Sequence, residues 1–191
     1  SDACFSNATK IDGSDFKVWL EWGYLLCEFG KINNNIEALQ KSKAKFETAQ
    51  TIEPNDARLF RLWSEVLMHE GSLTEDIALL KDAERRVISS LEMQPDSSEA
   101  WYLYGLCLNE LGRYFHDSKY YLQALEKFKQ GLAIDEEFPL LWHGIAISNF
   151  ALGELEGNGE YINMAAECCA KSIDLGGNKS LQCWNDWGVA L

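Results

Sequence analysis

Residues that could carry out catalysis are few in this chain of 191 amino acids. The histidines are His69, His116 and His143, and none has a carboxylate at the spacing of a catalytic triad. A histidine serves as a general base only when it lies within hydrogen-bond reach of the proton that it removes. The sequence therefore contains no catalytic constellation, and we expect a protein that is not an enzyme.

Two short motifs could take part in chemistry, but each lacks an essential element. Cys168 and Cys169 are adjacent, and neighbours on a helix point about 100° apart. We therefore expect one thiol to be buried and the other to be partly exposed, rather than a redox pair. The Gly-Asn-Gly turn at residues 157–159 precedes a helical pattern, but it lacks the lysine of a phosphate-binding loop. No catalytic, cofactor-binding or metal-binding residue is predicted.

The composition limits which cellular compartments and which classes of binding partner we expect for this chain. The six cysteines form no Cys-x-x-Cys pair and no Cys/His cluster with zinc spacing. Buried free cysteine behaves as a small hydrophobic residue, so we expect the cytoplasm or another reducing compartment. The net charge of -13 argues against binding to nucleic acid and to anionic membrane surfaces. No apolar run approaches the length, about 18 residues, that suggests a membrane span.

A regular repetition organises the chain. A large aromatic side chain recurs at Trp19, Phe60, Trp101 and Trp142, and again, one position out of step, at Trp184. Glycine recurs at Gly30, Gly71, Gly112 and Gly153. Asparagine or aspartate recurs at Asn35, Asp76, Asp117 and Asn158. Self-similarity at a fixed period, here about 41 residues, is the signature of a repeat protein built from stacked units.

Each repeat predicts two helices. In the third repeat an apolar stripe runs from Trp101 to Leu108 at helical spacing, and a second stripe runs from Tyr121 to Gly131. The glycine column is predicted to end each first helix in the left-handed conformation, and the Asn/Asp column to cap each second helix. We therefore expect turns near residues 30–35, 71–76, 112–117 and 153–158, ten helices and no strand.

These residues resemble the tetratricopeptide repeat, whose pattern is W-x2-L-G-x2-Y, then A-x3-F-x2-A, then proline. Trp101, Tyr104 and Gly105 match its first part, and Ala124 and Phe128 match its second part. The resemblance covers essentially the whole chain, but the family's repeat has about 34 residues, and each repeat here is about seven longer. That insertion adds about two helical turns and rotates the face by only ~20°. The Sel1-like repeat overlaps in length and is the alternative class.

The resemblance implies an all-α fold: one right-handed superhelical solenoid of stacked antiparallel helix pairs. Its predicted segments are a second helix of a preceding repeat (1–15), four repeats (16–56, 57–97, 98–138 and 139–180) and a further first helix (181–191). A solenoid normally needs polar caps at its termini. Because both ends fall within a repeat, we expect either more repeats or packing against another chain, including self-association through these ends.

In proteins that this chain resembles, the inner face of the first helices forms a groove for peptide or helix ligands. Helix geometry places a mainly apolar and aromatic set on that face: Leu20, Tyr24, Cys27, Arg61, Glu65, Met68, His69, Tyr102, Leu106, Asn109, His143, Ile147 and Phe150. Only Arg61 and Asn109 could serve in the Lys/Asn/Arg clamp that some relatives use for a C-terminal carboxylate. Two readings stay open: these side chains bind a ligand, or they fill a narrow superhelix.

The function implied by the resemblance is protein binding without a cofactor. The first hypothesis is a scaffold or adaptor that holds a peptide or helix in an apolar concave groove. The alternative is a secretion-type chaperone for apolar export substrates. A third hypothesis, an enzyme with an unrecognised site, has no residue in its favour.

Overall fold

The computed structural model describes residues 2–176, and this part of the chain contains nine α-helices and no strand. The helices are α1 (Asp2–Ile11), α2 (Phe16–Asn33), α3 (Ile36–Ile52), α4 (Ala57–Thr74), α5 (Ile77–Met93), α6 (Ser98–Phe115), α7 (Ser118–Ile134), α8 (Pro139–Glu156) and α9 (Gly159–Asp174). The tenth predicted helix, with Trp184 and Trp187, lies outside the described residues. Helices α2, α4, α6 and α8 begin at one constant interval along the sequence.

The chain divides into two compact units, Ser1–Pro95 and Asp96–Leu191. In the first unit α2 packs against α3 and α4 against α5, while α3 also packs against α4 and α1 against α2. In the second unit α6 packs against α7 and α8 against α9, and α7 also packs against α8. Each unit is thus built from helix pairs in which a second helix contacts the first helix that follows. The single right-handed superhelix and the six sequence segments stay predictions.

The Asn/Asp column caps the second helices, as the sequence predicted. The side chain of Asn35 accepts a hydrogen bond from the backbone N–H of Ala38 at 3.0 Å, and Asp76 accepts one from Ala78 at 2.8 Å. Asp117 and Asn158 do the same at the starts of α7 and α9. These bonds satisfy N–H groups that have no partner within the first turn of a helix.

The prediction that the glycine column ends each first helix is wrong. Each first helix continues three residues beyond its glycine and ends before a left-handed residue, which is Asn34, Glu75, His116 or Gly157. The glycines are instead buried contact points for the paired second helix. A Cβ on Gly30 would lie 2.7 Å from Cδ2 of Leu39, and a Cβ on Gly153 would lie 2.4 Å from Cδ1 of Ile162. Close helix approach, and not backbone freedom, is what this column requires.

Candidate protein-binding surfaces

In the first unit, the predicted binding face is formed by α2 and α4. Leu20 and Met68 are buried, with 3% and 4% of their surface exposed, and Cys27 is fully buried. Tyr24, Arg61, Glu65 and His69 are partly exposed. The prediction that Leu20 and Met68 face a ligand is therefore corrected, because their side chains pack in the core of the unit.

An ion network crosses this face. The Lys31 ammonium of α2 bonds to the carboxylates of Glu28, at 2.8 Å, and of Glu65 on α4. Burial by itself would lower the pKa of Lys31, but the charge of Glu65 and the hydrogen bonds to both carboxylates raise it above its usual value. Lys31 is consequently a permanent cation that ties α2 to α4. Sequence reasoning did not single it out, because its partner Glu65 lies in the next repeat.

The thiol of Cys27 lies beside this network. Burial, reinforced by the negative charge of Glu65, raises the pKa of Cys27 far above its ordinary value. The ligand atoms of Cys27, Glu28 and Glu65 all lie within 4.8 Å of one another, close enough to hold a metal ion. However, Lys31 already bonds to both carboxylates and offsets one of their two negative charges. The arrangement is accounted for as an internal ion network beside a protonated thiol.

In the second unit, the predicted face is formed by α6 and α8. Tyr102, Leu106, His143, Ile147 and Phe150 are partly exposed. The ring of Tyr102 packs against buried Phe128, with centroids 6.1 Å apart, and edge-on against Phe138 at 6.2 Å. One side of Tyr102 therefore belongs to the core, so this residue supports the unit as well as its surface.

Asn109 is buried, with only 5% of its surface exposed, so its assignment to a ligand surface is corrected. Its side-chain oxygen accepts a hydrogen bond of 2.8 Å from the hydroxyl of Ser148, which links α6 to α8. Its amide nitrogen is buried without a hydrogen-bond partner. Leaving a buried donor unsatisfied costs about 1–3 kcal/mol. Of the two residues that could have bound a C-terminal carboxylate, Arg61 alone is exposed to a ligand.

The first unit also has an apolar groove that was not predicted from the sequence. It encloses about 400 Å³ and is lined by Phe5, Trp22, Leu25, Leu26, Phe29, Asn35, Glu37, Ala38 and Lys41. Phe29 is 53% exposed and Leu25 is 46% exposed. A signal was present in the sequence, since both residues are apolar yet fall outside the stripe of Trp19, Trp22 and Gly23. We call this surface the α2 groove.

A second groove, of about 300 Å³, lies between α7, α8 and α9. Its lining includes Leu125, Trp142, Asn149 and Cys168. Cys168 is partly exposed and Cys169 is buried, which confirms the prediction for this pair.

None of the helices described between residues 2 and 176 has the length and apolar character that a membrane-spanning helix requires.

Solved structures with a similar fold are found despite low sequence identity. A crystal structure of MamA aligns with a TM-score of 0.57 at 14% identity, covering 89% of this chain and 87% of that one. TTC0263, a thermophilic tetratricopeptide repeat protein of Thermus thermophilus, aligns with a TM-score of 0.54 at 16% identity, covering 92% of this chain and 98% of that one.

Comparison of the sequence alone finds less. No protein-family model matches the chain, and no curated protein matches it. The similarity of fold nevertheless extends over most of the chain. Paired helices without strands occur throughout the described residues, and the alignments cover about nine-tenths of the chain. The described residues therefore have a fold similar to that of a solved tetratricopeptide repeat protein.

Proposed function

We propose that this chain is a scaffold or adaptor that binds another protein and catalyses no reaction. The observation that carries the proposal is the fold, a series of helix pairs similar to that of a solved tetratricopeptide repeat protein. Repeat folds of this kind typically expose extended binding surfaces. Acidity supports a protein ligand over nucleic acid, because 30 acidic residues outnumber 17 basic ones.

The finer proposal concerns the faces of the first helices. In the first unit the ligand contacts Tyr24, Arg61 and His69, and in the second it contacts Leu106, Ile147 and Phe150. These residues are partly exposed, and aromatic and arginine side chains are the residue types that most often dominate the energy of binding. A peptide or helix fits such a face because it can place side chains between neighbouring first helices.

Site-specific photo-crosslinking tests this assignment. A photoreactive phenylalanine analogue replaces Tyr24 in one variant and Phe150 in another, and adducts formed in the source cells are identified by mass spectrometry. The control replaces Met93, which is 42% exposed on α5 and lines neither groove. We expect the same partner from Tyr24 and Phe150 but not from Met93. Equal adducts from all three positions would contradict the proposal.

A purified partner then separates binding from stability. Phe150→Ser is expected to weaken the partner at least tenfold, since removal of an aromatic anchor costs on the order of 2 kcal/mol, while circular dichroism shows unchanged helicity. An adaptor binds its partner in the folded state. A chaperone for export substrates instead prefers the unfolded partner, so titration of both forms distinguishes the two functions.

A further inference from the structure

In three repeats, a cation of the second helix lies over an aromatic ring of the first helix. The contacts, from the charged group to the ring centroid, are Lys45 over Trp22 at 3.8 Å, Arg86 over Trp63 at 3.5 Å and Lys127 over Tyr104 at 5.1 Å. The three cations stand at one constant interval along the sequence. The next position in that column holds Cys168, and Ile145 stands where the ring would be. The fourth repeat therefore lacks this pair.

In the first unit, Arg86 is held by groups from three helices. Its guanidinium lies over Trp63 of α4, and its Nε is 3.4 Å from a carboxylate oxygen of Asp82 on α5. Burial lowers the pKa of Arg86, while the charges of Asp82 and of Glu47 on α3 oppose that effect. The Arg86 side chain thus occupies the space that α3, α4 and α5 border.

The equivalent space in the second unit is the groove of about 300 Å³ between α7, α8 and α9, which we call the α9 groove. In register with Arg86, Asp82 and Glu47 stand Cys168, Met164 and Lys129, and all three line the groove. The cation is thus absent together with both of its acidic neighbours. Lys129 and Glu167 are the charged residues of the lining, and their charges offset one another. The α9 groove is therefore not built for a cation.

A buried amide also lines the α9 groove. Asn149 is 4% exposed, and the equivalent residue of the first unit is the buried Leu67. Among the described residues, the Asn149 side chain has no hydrogen-bond partner. Because buried polar groups are costly unless they are hydrogen-bonded, the amide needs a partner that enters through the groove.

The other walls of the α9 groove suit an aromatic ring. They are formed by Leu125, Leu132, Trp142, Ile145, Met164 and Cys168. Aromatic rings pack favourably against one another, and sulfur atoms make favourable contacts with ring edges. The indole N–H of Trp142 already donates to the carbonyl of Glu136 at 2.8 Å, so Trp142 offers its ring and leaves Asn149 to bind a polar atom.

We propose that the α9 groove binds a tyrosine or tryptophan side chain of a bound protein, with its ring against Trp142 and its O–H or N–H donating to the side-chain oxygen of Asn149. Both side chains combine a large apolar body with one polar tip. That the ring belongs to a protein rests on the proposed scaffold function. None of the residues assigned above to the scaffold's ligand lines this groove.

Amino-acid amides test the chemistry of the α9 groove. The probes are N-acetyltryptophanamide, N-acetyltyrosinamide and N-acetylphenylalaninamide, titrated into the isotope-labelled full chain and followed by NMR. We expect the first two to bind about fivefold more tightly than the third, which cannot form the additional hydrogen bond. Asn149→Leu copies Leu67 and should abolish this preference. N-acetylargininamide should not shift the signals of the groove.

Cys168→Arg restores the residue that fills the equivalent space in the first unit, so it should weaken the tryptophan amide at least tenfold. The matched control is Cys4→Arg, at the exposed thiol of α1, which should leave the affinity unchanged. Circular dichroism checks that both variants fold. In the wild type, a saturating concentration of the tryptophan amide should slow alkylation of Cys168 by iodoacetamide but not that of Cys4, as measured by mass spectrometry.

Equal affinity of the tryptophan and phenylalanine amides, or unaltered alkylation of Cys168, would overturn the proposal. Free indole that binds at least tenfold more tightly than the tryptophan amide would also overturn it, because the groove would then exclude a main chain and suit a small molecule. Crosslinking from Tyr24 and Phe150 does not depend on this groove. Failure here is therefore distinguishable from failure of the scaffold proposal.

Discussion

Phe128 on α7 packs so tightly against Gly105 on α6 that a Cβ at residue 105 would lie 2.3 Å from its Cε1. The ring cannot withdraw, because a Cβ on Gly144 of α8 would lie 2.5 Å from the same atom. Phe128 is fully buried. The Phe128 side chain thus sets the distance of α7 from the first helices on both sides of it, α6 and α8. In the first unit, Phe46 approaches Gly23 in the same way.

Gly105→Ala is therefore expected to destabilise the protein. Alanine favours a helix over glycine by about 1 kcal/mol, but overpacking a tight core costs about 1–3 kcal/mol, and the blocked ring offers no relief. We expect a net loss of about 1 kcal/mol or more in the free energy of unfolding, measured by urea denaturation. Gly159→Ala is the control, since no atom lies within 4 Å of its added Cβ, and it should be neutral or stabilising. Equal stability of the two variants would contradict this account.

Asn109→Met is expected to stabilise the second unit. The substitution removes the buried amide nitrogen that lacks a hydrogen-bond partner, and methionine already occupies the equivalent buried position at Met68. Ser148 loses Asn109 as an acceptor, but its hydroxyl can donate instead to the carbonyl of Gly144, which lies 3.1 Å away. We expect a gain of about 1 kcal/mol by thermal denaturation. A loss of stability would contradict this account of the Asn109 amide.

Lys43→Ala is expected to destabilise the first unit more than Arg58→Ala. Lys43 pairs with Glu70, whose side chain is 5% exposed, whereas the pair of Arg58 with Glu21 is about half exposed on both sides. Loss of Lys43 leaves a buried carboxylate supported only by Gln40, which we expect to cost about 2 kcal/mol. Exposed ion pairs contribute about 0–1 kcal/mol. Chemical denaturation of both variants measures the difference, and equal losses would contradict the structural assignment.

Cysteine labelling should separate exposed from buried thiols. At pH 8 the exposed Cys4 should react with a thiol reagent immediately, while Cys27, Cys107 and Cys169 should react only upon unfolding. Mass spectrometry of the labelled peptides identifies each site. Rapid labelling of Cys27 in folded protein would contradict its burial.

Cys27 also predicts a pH dependence. Burial, with the charge of Glu65, raises the pKa of its thiol in the folded chain. The contribution of the Cys27 thiol to the free energy of unfolding is therefore complete below the thiol's pKa in the unfolded chain, about 8.5. Above that pH the free energy of unfolding falls, because the unfolded chain loses the proton while the folded chain keeps it. Stability should drop more between pH 8 and pH 10 in the wild type than in Cys27→Ala. Parallel pH profiles would refute this linkage.

The sequence was sufficient to predict the helix pairs, because period and capping are local properties. Asn35 and Asp76 cap α3 and α5 as their positions indicated. The glycine column was misread because a glycine near the end of a helix has two uses, and only the distance to a neighbouring side chain distinguishes a turn from a close contact. Gly30 lies against Leu39, a relationship that no local pattern encodes.

The candidate surfaces were less predictable for the same reason. Helix geometry placed Leu20, Met68 and Asn109 on a binding face, yet each is buried in the structure. Burial depends on how near the adjacent first helix lies, and sequence spacing does not specify that distance. Phe29 went unnoticed because it falls outside the apolar stripe of α2, and its 53% exposure depends on packing that sequence spacing does not specify.

The buried carboxylate of Glu70 has a consequence for whether the second helices can be exchanged. Glu70 takes its side-chain partners from α3, where Gln40 and Lys43 reach it. The equivalent positions of α7 hold Leu122 and Leu125, which offer a carboxylate neither a hydrogen bond nor a charge. A buried charge without a partner is strongly destabilising, so α7 could not replace α3 beside α4. The two helices share a pattern, but they are not interchangeable modules.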